Sequence, residues 1–270
     1  MSPNRGVRGQ DMSGVSSVNP RLRGQTALVT GGGSGLGLLF ASVLAQNGAR
    51  VVIAGRRESV LETALLRLRE QAKTTEAVCL DVTDPKSIES TVDQLEDRGL
   101  LPDILINNAG LSRPGPALKV TVADFDAVMS TNLRGAFLLS QAIAGKLIAI
   151  GRPGVIVNVC SVLGRSPQKG VLPYAVSKAG LLHLTRLLAL EWARHSIRVN
   201  ALVPGFFRTD ITDEYLDSLA GAALQSRIPM RRPGWLPELA QPLMLLVDPD
   251  SVYMTGTELV VDGGLSVNPL

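Results

Sequence analysis

Short runs of hydrophobic residues alternate along the chain with longer segments that show the hydrophobic period of a helix. Most of the short runs are continuous stretches of Val, Ile and Leu, which is typical of parallel strands covered on both faces. The regular alternation of strand and helix predicts one α/β domain over residues 21–270, built on a doubly wound, seven-stranded parallel sheet with helices on both faces. The predicted strands are Thr26–Thr30, 50–54, 77–81, Ile104–Asn107, 155–159, 198–202 and Glu258–Val261.

Helical segments are predicted between these strands. One helix covers residues 36–45 and is closed by Asn47-Gly48. Another begins after Thr121, whose offset to Asp124 suggests a capping box. The helix after the second strand has an apolar stripe made by Val60, Leu61, Ala64, Leu65 and Leu68.

The segment 174–192 predicts a long helix that is apolar around most of its circumference. A helix of this kind is buried on nearly every side. The sheet can cover one face only, so we expect a second subunit to cover the other, in a homotetramer or a homodimer. The alternative is burial under a neighbouring helix of the same chain. The apolar positions are Val176, Ala179, Leu181, Leu182, Leu184, Leu187, Leu188 and Leu190.

Composition excludes several other classes of protein. The chain has 270 residues, of which 45% are hydrophobic and 19% charged, so it is not disordered. Its two cysteines exclude a disulfide-stapled secreted scaffold, and no apolar stretch reaches the ~18 residues that span a bilayer. A net charge of +3 is too small to indicate nucleic-acid binding. We therefore expect a cytoplasmic protein that binds neither membranes nor nucleic acids.

The first twenty residues differ in composition from the rest of the chain. Residues 1–20 are rich in Ser, Gly, Asn and Pro, and their basic residues are Arg5 and Arg8. This composition predicts a disordered tail outside the fold. The alternative is a targeting or nucleic-acid-binding arm, although no apolar core resembling a signal peptide is present.

The first predicted strand is followed by a glycine-rich turn that opens the first helix. Glycines at such a turn let the backbone approach a pyrophosphate, which binds at the helix N-terminus where free N–H groups point at it. A glycine-rich turn alone could be a flexible loop, but its place between a Val-rich strand and an apolar helix favours a dinucleotide site. The turn reads Thr30-Gly31-Gly32-Gly33-Ser34-Gly35-Leu36-Gly37.

The second strand indicates which dinucleotide is bound. NAD sites usually place an Asp or Glu ~20 residues beyond the glycines, but this chain has no acidic residue between Asp11 and Glu58. It has Arg56 and Arg57 instead, and a guanidinium can bind a 2′-phosphate with paired hydrogen bonds. We predict NADP(H) as cofactor rather than NAD. The alternative is that both arginines are solvated charges at the entry of a helix.

Three residues form a candidate reaction centre. Tyr174 and Lys178 are four positions apart on the long helix, so their side chains share one face. A nearby ammonium lowers the pKa of a phenol by favouring the phenolate, which makes Tyr a usable acid–base catalyst. Ser161 follows the fifth strand and would reach the carboxyl edge of the sheet, where ligands bind in such folds.

These marks together resemble those of the short-chain dehydrogenase/reductase family, over essentially residues 24–264. Within the family, residues 204–210 resemble the gluconate 5-dehydrogenase-like branch, and the whole chain resembles the 3-oxoacyl-carrier-protein reductases equally well. The resemblance implies a Rossmann fold and hydride transfer between NADP(H) and a carbonyl or alcohol. The matching marks are Thr-Gly-x-x-x-Gly-x-Gly at the first turn, Asn107-Asn108-Ala109-Gly110, Ser161 with Tyr174-x-x-x-Lys178, Pro204-Gly205, Thr209 and Val261-Asp262-Gly263-Gly264.

The resemblance also implies roles for individual residues. Tyr174 would be the general acid or base, Ser161 would stabilise the charge on the carbonyl oxygen, and Lys178 would bind the nicotinamide ribose. Asn132 would hold a water that links Lys178 to solvent, or would simply be a kink-forming helix residue. The implied cofactor-binding set is Gly31, Gly33, Ser34, Gly35, Leu36, Gly37, Arg56, Arg57, Asp81, Val82, Asn108, Ala109, Gly110, Tyr174, Lys178, Pro204, Gly205, Phe207 and Thr209.

Within that set, the resemblance distinguishes two ends of the cofactor. Asp81 would contact the adenine amino group, and 108–110 would line the adenosine side. Residues 204–209 would clamp the nicotinamide carboxamide, although Thr209 could instead be a helix N-cap.

Residues 206–235 should form a substrate lid. Apolar contacts there would suit an acyl or alicyclic substrate, and its arginines could meet a phosphate or carboxylate; the alternative is packing on the core with solvated charges. The resemblance therefore leaves a 3-oxoacyl thioester and a keto-sugar or polyol as candidate substrates. The residues concerned are Phe206, Phe207, Tyr215, Leu216 and Leu219 with Arg208, Arg227, Arg231 and Arg232.

A few other residues carry chemistry but favour a structural interpretation. Cys160 is expected to be a buried strand-end residue rather than a redox thiol. His183 and His195 lack partner ligands, so no metal site is predicted. Asp262 precedes Gly263-Gly264 and is expected to hold a turn.

Two other classes of function stay open beside the enzyme: a catalytically idle nucleotide-binding redox regulator, and an interaction protein that uses the N-terminal arm. Loss of Tyr174 or Lys178 would favour the first of these, and both residues are present.

Overall fold

The computed structural model of the chain describes residues 21–72, 74–209 and 216–268. The tail predicted over 1–20 and part of the predicted lid, 210–215, lie outside the described residues. The described strands form one parallel sheet in the order β3-β2-β1-β4-β5-β6-β7, which confirms the predicted doubly wound architecture. They are β1 (Thr26–Thr30), β2 (Arg50–Gly55), β3 (Glu76–Cys79), β4 (Ile104–Asn107), β5 (Gly154–Val159), β6 (Ile197–Pro204) and β7 (Glu258–Val261).

Helices cover both faces of this sheet. Helices α1, α2 and α8 pack on one face, whereas α3, α5 and α6 pack on the other. Between α4 and α5 the segment Ser130–Gly135 is a π-helix, which the sequence did not predict. The helices are α1 (Gly35–Gln46), α2 (Glu58–Gln71), α3 (Pro85–Asp97), α4 (Val122–Met129), α5 (Ala136–Ala149), α6 (Leu172–Trp192), α7 (Leu219–Arg227) and α8 (Ala240–Val247).

Successive side chains of β1 are buried on opposite faces of the sheet, which explains why the strand is apolar throughout. Ala27 and Val29 pack in the same layer as Phe40 of α1, whereas Leu28 packs in the opposite layer with Ile143 of α5. All three strand residues are fully buried. A strand covered on both faces has no position at which a polar side chain would reach water.

The strand boundaries differ from the predicted ones by one or two residues at β2, β3, β5 and β6. The differences are largest at β6, predicted over 198–202, and at β3, predicted over 77–81. The strand ends earlier because the Asp81 N–H donates to Ser87 Oγ (3.1 Å) rather than to a neighbouring strand. Thr121 does cap α4, since its Oγ1 accepts from Asp124 N–H (3.0 Å) and donates to the Asp124 carboxylate (2.7 Å).

The long helix α6 is buried on its inner side and only partly covered elsewhere. The π-helical segment packs on one flank, where a Cβ added to Gly180 would lie 2.9 Å from the Leu133 side chain. Apolar side chains remain exposed on the outer side, at Val176 (44%), Leu187 (44%) and Leu190 (80%). A same-chain neighbour therefore covers part of the helix, and an apolar strip is left over.

Candidate active site

A cleft runs along the carboxyl edge of the sheet, where the strand order changes direction between β1 and β4. Ligands bind at this switch point in open α/β sheets. The cleft brings together most of the predicted adenosine-side residues. Its lining is Thr30, Gly31, Gly33, Ser34, Ala54, Gly55, Arg56, Arg57, Val60, Leu61, Leu80, Asp81, Val82, Thr83, Ala109, Gly110, Leu111 and Thr131.

The glycine-rich turn has a shape that other residues could not adopt. Gly31 has a φ of 63°, in the left-handed region that favours glycine. Gly37 lies so close to the turn that an added Cβ would be 2.1 Å from the Gly31 carbonyl oxygen. Ser34 is the N-cap of α1, and its hydroxyl makes no cap hydrogen bond to the described chain.

The chemistry of this turn suits an anion. The first-turn N–H groups of α1, at Gly35, Leu36 and Gly37, have no intrahelical partner, and the first turn contains no acidic residue. A helix N-terminus of this kind attracts negative charge and can bind a phosphate. The turn therefore fits the pyrophosphate of a dinucleotide.

Thr30 and Asn108 hold the turn against the loop that follows β4. Thr30 Oγ1 accepts from the N–H groups of Asn108 (3.0 Å) and Ala109 (2.9 Å). Asn108 Nδ2 donates to the carbonyls of Thr30 (3.0 Å) and Gly31 (3.3 Å). The Asn108 side chain thus shapes the glycine turn, while Ala109 and Gly110 line the cleft. Thr30 belongs to the sequence pattern of the first turn, but its hydrogen bonds to the loop after β4 were not predicted.

Charged residues occupy the adenosine end of the cleft. Arg56 and Arg57 are exposed and line the cleft together with Asp81. Partial burial alone would raise the pKa of Asp81, but hydrogen bonds from Thr83 and the positive charge of Arg56 outweigh it and lower the pKa. Asp81 is therefore a carboxylate at neutral pH. Val82 is buried, and its carbonyl faces Gly135, where an added Cβ would lie 2.6 Å away.

Lys178 is the most unusual charged group of the site. It is only 4% exposed, and its Nζ donates to the Val159 carbonyl (2.7 Å) and lies 5.6 Å from the centroid of the Tyr174 ring. Among the described residues no carboxylate forms an ion pair with it. A buried ammonium without a counterion is costly unless it serves a ligand.

Ser161 is brought to the same helix. It is 7% exposed, and its Oγ accepts from Leu163 N–H (3.1 Å), so that its own hydrogen is left to donate. The short turn after it packs on α6, because an added Cβ at Gly164 would lie 2.8 Å from the Lys178 carbonyl carbon. Ser161 therefore begins the turn that packs on the helix of Tyr174 and Lys178. Lys178 reaches the cleft at Gly110, where an added Cβ would lie 3.7 Å from Lys178 Nζ.

Asn132 lies in the π-helical segment and connects this corner to the β4 loop. Its side chain donates to the Leu111 carbonyl (2.9 Å) and accepts from Leu111 N–H (2.8 Å). Its Nδ2 also bonds to Ser177 Oγ (3.0 Å), and the Ser177 hydroxyl donates to the Tyr174 carbonyl (2.7 Å). Asn132 thus lies inside the π-helical segment and connects Leu111, which lines the cleft, to α6.

The segment after β6 is held by the chain around β7 and Gly234. Gly205 N–H donates to the Val261 carbonyl (2.8 Å), and Pro204 ends β6. The Phe207 side chain is buried in the core against Gly234, so only its backbone could contact a cofactor. Thr209 is half-buried at the last described position before 210–215.

Most of the predicted lid arginines are engaged within the chain. Arg208 pairs with Asp217 (2.7 Å), and Arg232 makes two bonds to Glu238 (2.8 and 2.6 Å). Arg231 donates to the Ser226 carbonyl. Residues 210–215, which include Tyr215, lie outside the described residues. The described part of the lid therefore favours ion pairing and packing over a cluster of substrate-facing arginines.

The remaining candidates behave as structural residues. Cys160 is buried, which raises the pKa of its thiol to about 12 despite the nearby Lys178 charge. The Asp262 carboxylate accepts from Gly264 N–H (2.8 Å) and Ser266 N–H (2.7 Å), as expected for a turn residue. Within the described ranges, no group of three or more His, Cys, Asp and Glu side chains could hold a metal ion.

A buried polar network below the site was also missed. Asn107 Nδ2 donates to Ser140 Oγ (2.8 Å) and to Asn158 Oδ1 (2.9 Å), and Asn158 Nδ2 donates to Thr185 Oγ1 (2.9 Å). These side chains connect β4, β5, α5 and α6. Asparagines inside two apolar strands are the one signal that could have revealed it, since a buried amide needs partners.

These features fit a dinucleotide bound along the cleft. The glycine turn lacks the side chains that would block a pyrophosphate, the arginines offer charge for a further phosphate, and Lys178 offers donors to ribose hydroxyls.

Among the described helices, none combines the length and the apolar character that a membrane span requires.

Comparison with known proteins supports this geometry. The family model described as short chain dehydrogenase matches residues 25–219. The chain is 37% identical to gluconate 5-dehydrogenase from Gluconobacter oxydans, over 92% of this chain and 96% of that protein. It is 36% identical to 3-oxoacyl-(acyl-carrier-protein) reductase from Thermotoga maritima, over 92% of this chain and 100% of that protein.

A solved structure has the same fold. The gluconate 5-dehydrogenase from Burkholderia cenocepacia, crystallised in complex with NADP and tartrate, superposes with a TM-score of 0.87 at 36% identity. The match covers 92% of this chain and 98% of that one.

Proposed function

Since the chain belongs to the short-chain dehydrogenase/reductase family, we propose that it is an NADP(H)-dependent oxidoreductase that interconverts a ketone and a secondary alcohol. The observation that carries the proposal is the buried, unpaired ammonium of Lys178 next to the Tyr174 ring. A phenol needs such a neighbour to exchange a proton at neutral pH.

The nicotinamide of the bound cofactor supplies the hydride in reduction and accepts it in the reverse direction. Tyr174 donates its hydroxyl proton to the carbonyl oxygen of the substrate, and the Lys178 charge stabilises the phenolate that results. Ser161 donates a hydrogen bond to the same oxygen and stabilises its developing charge. Asn132 holds a water that links Lys178 to solvent. Lys178 and Tyr174 recover a proton through this water.

The remaining predicted residues hold the cofactor. The glycine turn binds the pyrophosphate, and Arg56 with Arg57 binds a 2′-phosphate, which favours NADP(H) over NAD. Asp81 with Ala109 and Gly110 binds the adenosine, and the backbone of 204–209 binds the carboxamide. Solved relatives that contain NADP support this choice of cofactor.

The substrate is proposed to be a keto-sugar or polyol, or a 3-oxoacyl thioester. Relatives named for both chemistries are similar to this chain at 36–37% identity. The experiment is a panel of both substrate classes with NADPH, followed by the nicotinamide absorbance. A protein that binds NADPH but turns over no member of either class would favour the catalytically idle alternative.

The assignment of the acid is tested by Tyr174→Phe. We expect this variant to bind NADPH as the wild type does and to lose turnover, because the ring remains and only the hydroxyl is lost. Tyr253→Phe is the matched control, since Tyr253 is fully exposed. Wild-type turnover in Tyr174→Phe would contradict the proposed role.

We also propose that the exposed strip of α6 at Val176, Leu187 and Leu190 is a contact between subunits, in a homotetramer or homodimer. An apolar strip at this exposure is typical of an interface. Sedimentation analysis of Leu190→Glu against the wild type tests it, and an unchanged mass would contradict it.

A further inference from the structure

The Asp81 carboxylate is held asymmetrically by a single residue. Thr83 donates to Asp81 Oδ1 twice, from its N–H (2.9 Å) and from its hydroxyl (2.7 Å). A carboxylate oxygen has about two acceptor sites, so Oδ1 is saturated. Within the described part of the chain Oδ2 accepts no hydrogen bond, and Asp81 lines the cleft.

The backbone around this carboxylate is fixed on both sides. Asp81 N–H donates to Ser87 Oγ (3.1 Å), and the Thr83 carbonyl accepts from Arg134 (3.2 Å). Because Gly135 lies against the Val82 carbonyl, the segment is also supported from the π-helix side. The orientation of the carboxylate therefore depends on the Thr83 hydroxyl and N–H rather than on a loose loop.

Oδ2 is an acceptor and not a donor. The Thr83 hydrogen bonds and the Arg56 charge lower the pKa of Asp81 against the effect of partial burial, so the group carries no proton at neutral pH. An ionised carboxylate only accepts hydrogen bonds. A group that binds Oδ2 must therefore be a hydrogen-bond donor.

We propose that Thr83 is a positioning residue that makes the site select a 6-aminopurine dinucleotide over a 6-oxopurine one, by occupying Oδ1 and leaving Oδ2 as the acceptor toward the purine edge. The inference rests on the proposed function, because it takes the adenosine of the cofactor to lie in this cleft. Adenine presents a donor at position 6, whereas hypoxanthine presents an oxygen that would face a second acceptor. Sites built around a hydrogen bond discriminate strongly against the analogue that cannot form it.

The test compares the affinities of NADPH and of its hypoxanthine analogue, measured by titration of the nicotinamide fluorescence, so that no substrate is needed. We expect the wild type to bind NADPH about tenfold or more tightly than the analogue. Thr83→Val keeps the shape and the N–H but loses the hydroxyl, so this ratio should fall at least about threefold. Thr83→Ser, which restores a hydroxyl, should recover the wild-type ratio.

Ser87→Ala is the matched control. It deletes a hydroxyl from the same segment, but one that binds the Asp81 N–H and not the carboxylate, so the ratio should stay at the wild-type value. Asp81→Asn should bring the ratio to one or invert it, because an amide can turn its NH₂ toward the purine oxygen. If Thr83→Val does not fold, Thr83→Ala removes the same hydroxyl.

The outcomes separate the two proposals. An unchanged ratio in Thr83→Val and Thr83→Ala, with both dinucleotides bound, overturns the role of Thr83 and leaves the proposed function intact. An equal loss of ratio in Ser87→Ala also overturns it, since any disturbance of the segment would then suffice. A wild type that binds neither dinucleotide overturns the proposed function and this inference with it.

Discussion

Replacing Lys178 with methionine should stabilise the fold while removing turnover. Lys178 is 4% exposed, and its ammonium has three donors but one hydrogen-bond partner in the described structure, the Val159 carbonyl at 2.7 Å. Lys178→Met keeps the length of the side chain and removes the charge. The free protein should therefore no longer carry the cost of desolvating an unpaired cation.

The magnitude follows from two opposing effects. Replacing a buried ion pair with apolar groups of similar volume is often neutral or stabilising by about 1–4 kcal/mol, and we apply the same range to a buried ammonium that has no counterion. Losing the hydrogen bond to Val159 costs about 1 kcal/mol. The free energy of unfolding of Lys178→Met should thus equal or exceed that of the wild type by up to about 3 kcal/mol, or a rise in Tm of about 2–4 °C for each kcal/mol.

Thermal and urea unfolding, each with and without saturating NADPH, measures the effect. NADPH should raise the Tm of the wild type more than that of Lys178→Met, because the proposed contacts to the nicotinamide ribose are lost. Lys119→Met, on the exposed turn before α4, is the control and should change neither value. A loss of more than about 1 kcal/mol in the free variant would refute the idea that the ammonium is an uncompensated charge.

Three further results are expected. Arg56→Ala should weaken NADPH binding about tenfold to a hundredfold and NADH binding little. The control Arg67→Ala, at an exposed arginine of α2, should weaken the binding of neither dinucleotide. Equal losses of affinity for NADPH and NADH in Arg56→Ala would contradict the 2′-phosphate assignment. A thiol reagent near neutral pH should label the exposed Cys79 and spare Cys160, whose pKa is raised to about 12 by burial, until the protein is unfolded. Hydrogen bonds from Arg232 and Trp235 lower the pKa of Glu238 from 4.5 to about 2. The stabilising effect of this carboxylate is therefore present above pH 4.5 and is lost toward pH 2. The free energy of unfolding of Glu238→Gln should approach that of the wild type as the pH falls over this range.

The architecture could be predicted because strands that are buried on both faces have continuous hydrophobic sequences. A strand such as β4, Ile-Leu-Ile-Asn, has to be apolar at successive positions, and no other element of its length requires this. Strand ends were less predictable, since they depend on single polar bonds. The Asp81 N–H leaves the sheet for Ser87 Oγ, and nothing in the local hydrophobic pattern marks that exchange.

The sequence predicts the residues of a candidate site, but not the hydrogen bonds that connect them. Their spacing predicts that Tyr174 and Lys178 share one face of a helix, and in α6 the Lys178 ammonium does lie 5.6 Å from the Tyr174 ring centroid. Spacing could not show that Asn132 reaches Leu111 and Ser177 at the same time, because that requires the change to π-helix at Ser130–Gly135. Contacts between residues far apart in sequence depend on how the elements dock, and a one-residue change of helix pitch redirects a side chain completely.

Polar contacts on the inner side of α6 fix the position of this helix along its axis. Apolar contacts are not directional and tolerate small shifts of a helix along its axis, whereas hydrogen bonds do not. Ser177 is tied to the π-helical segment, and Thr185 is tied to Asn158 of β5, two turns further along. A slip of one turn would break both bonds and leave buried amides unpaired, at about 1–3 kcal/mol each. The register of α6 against β5 is therefore set by polar groups, and with it the position of Lys178 at the Val159 carbonyl.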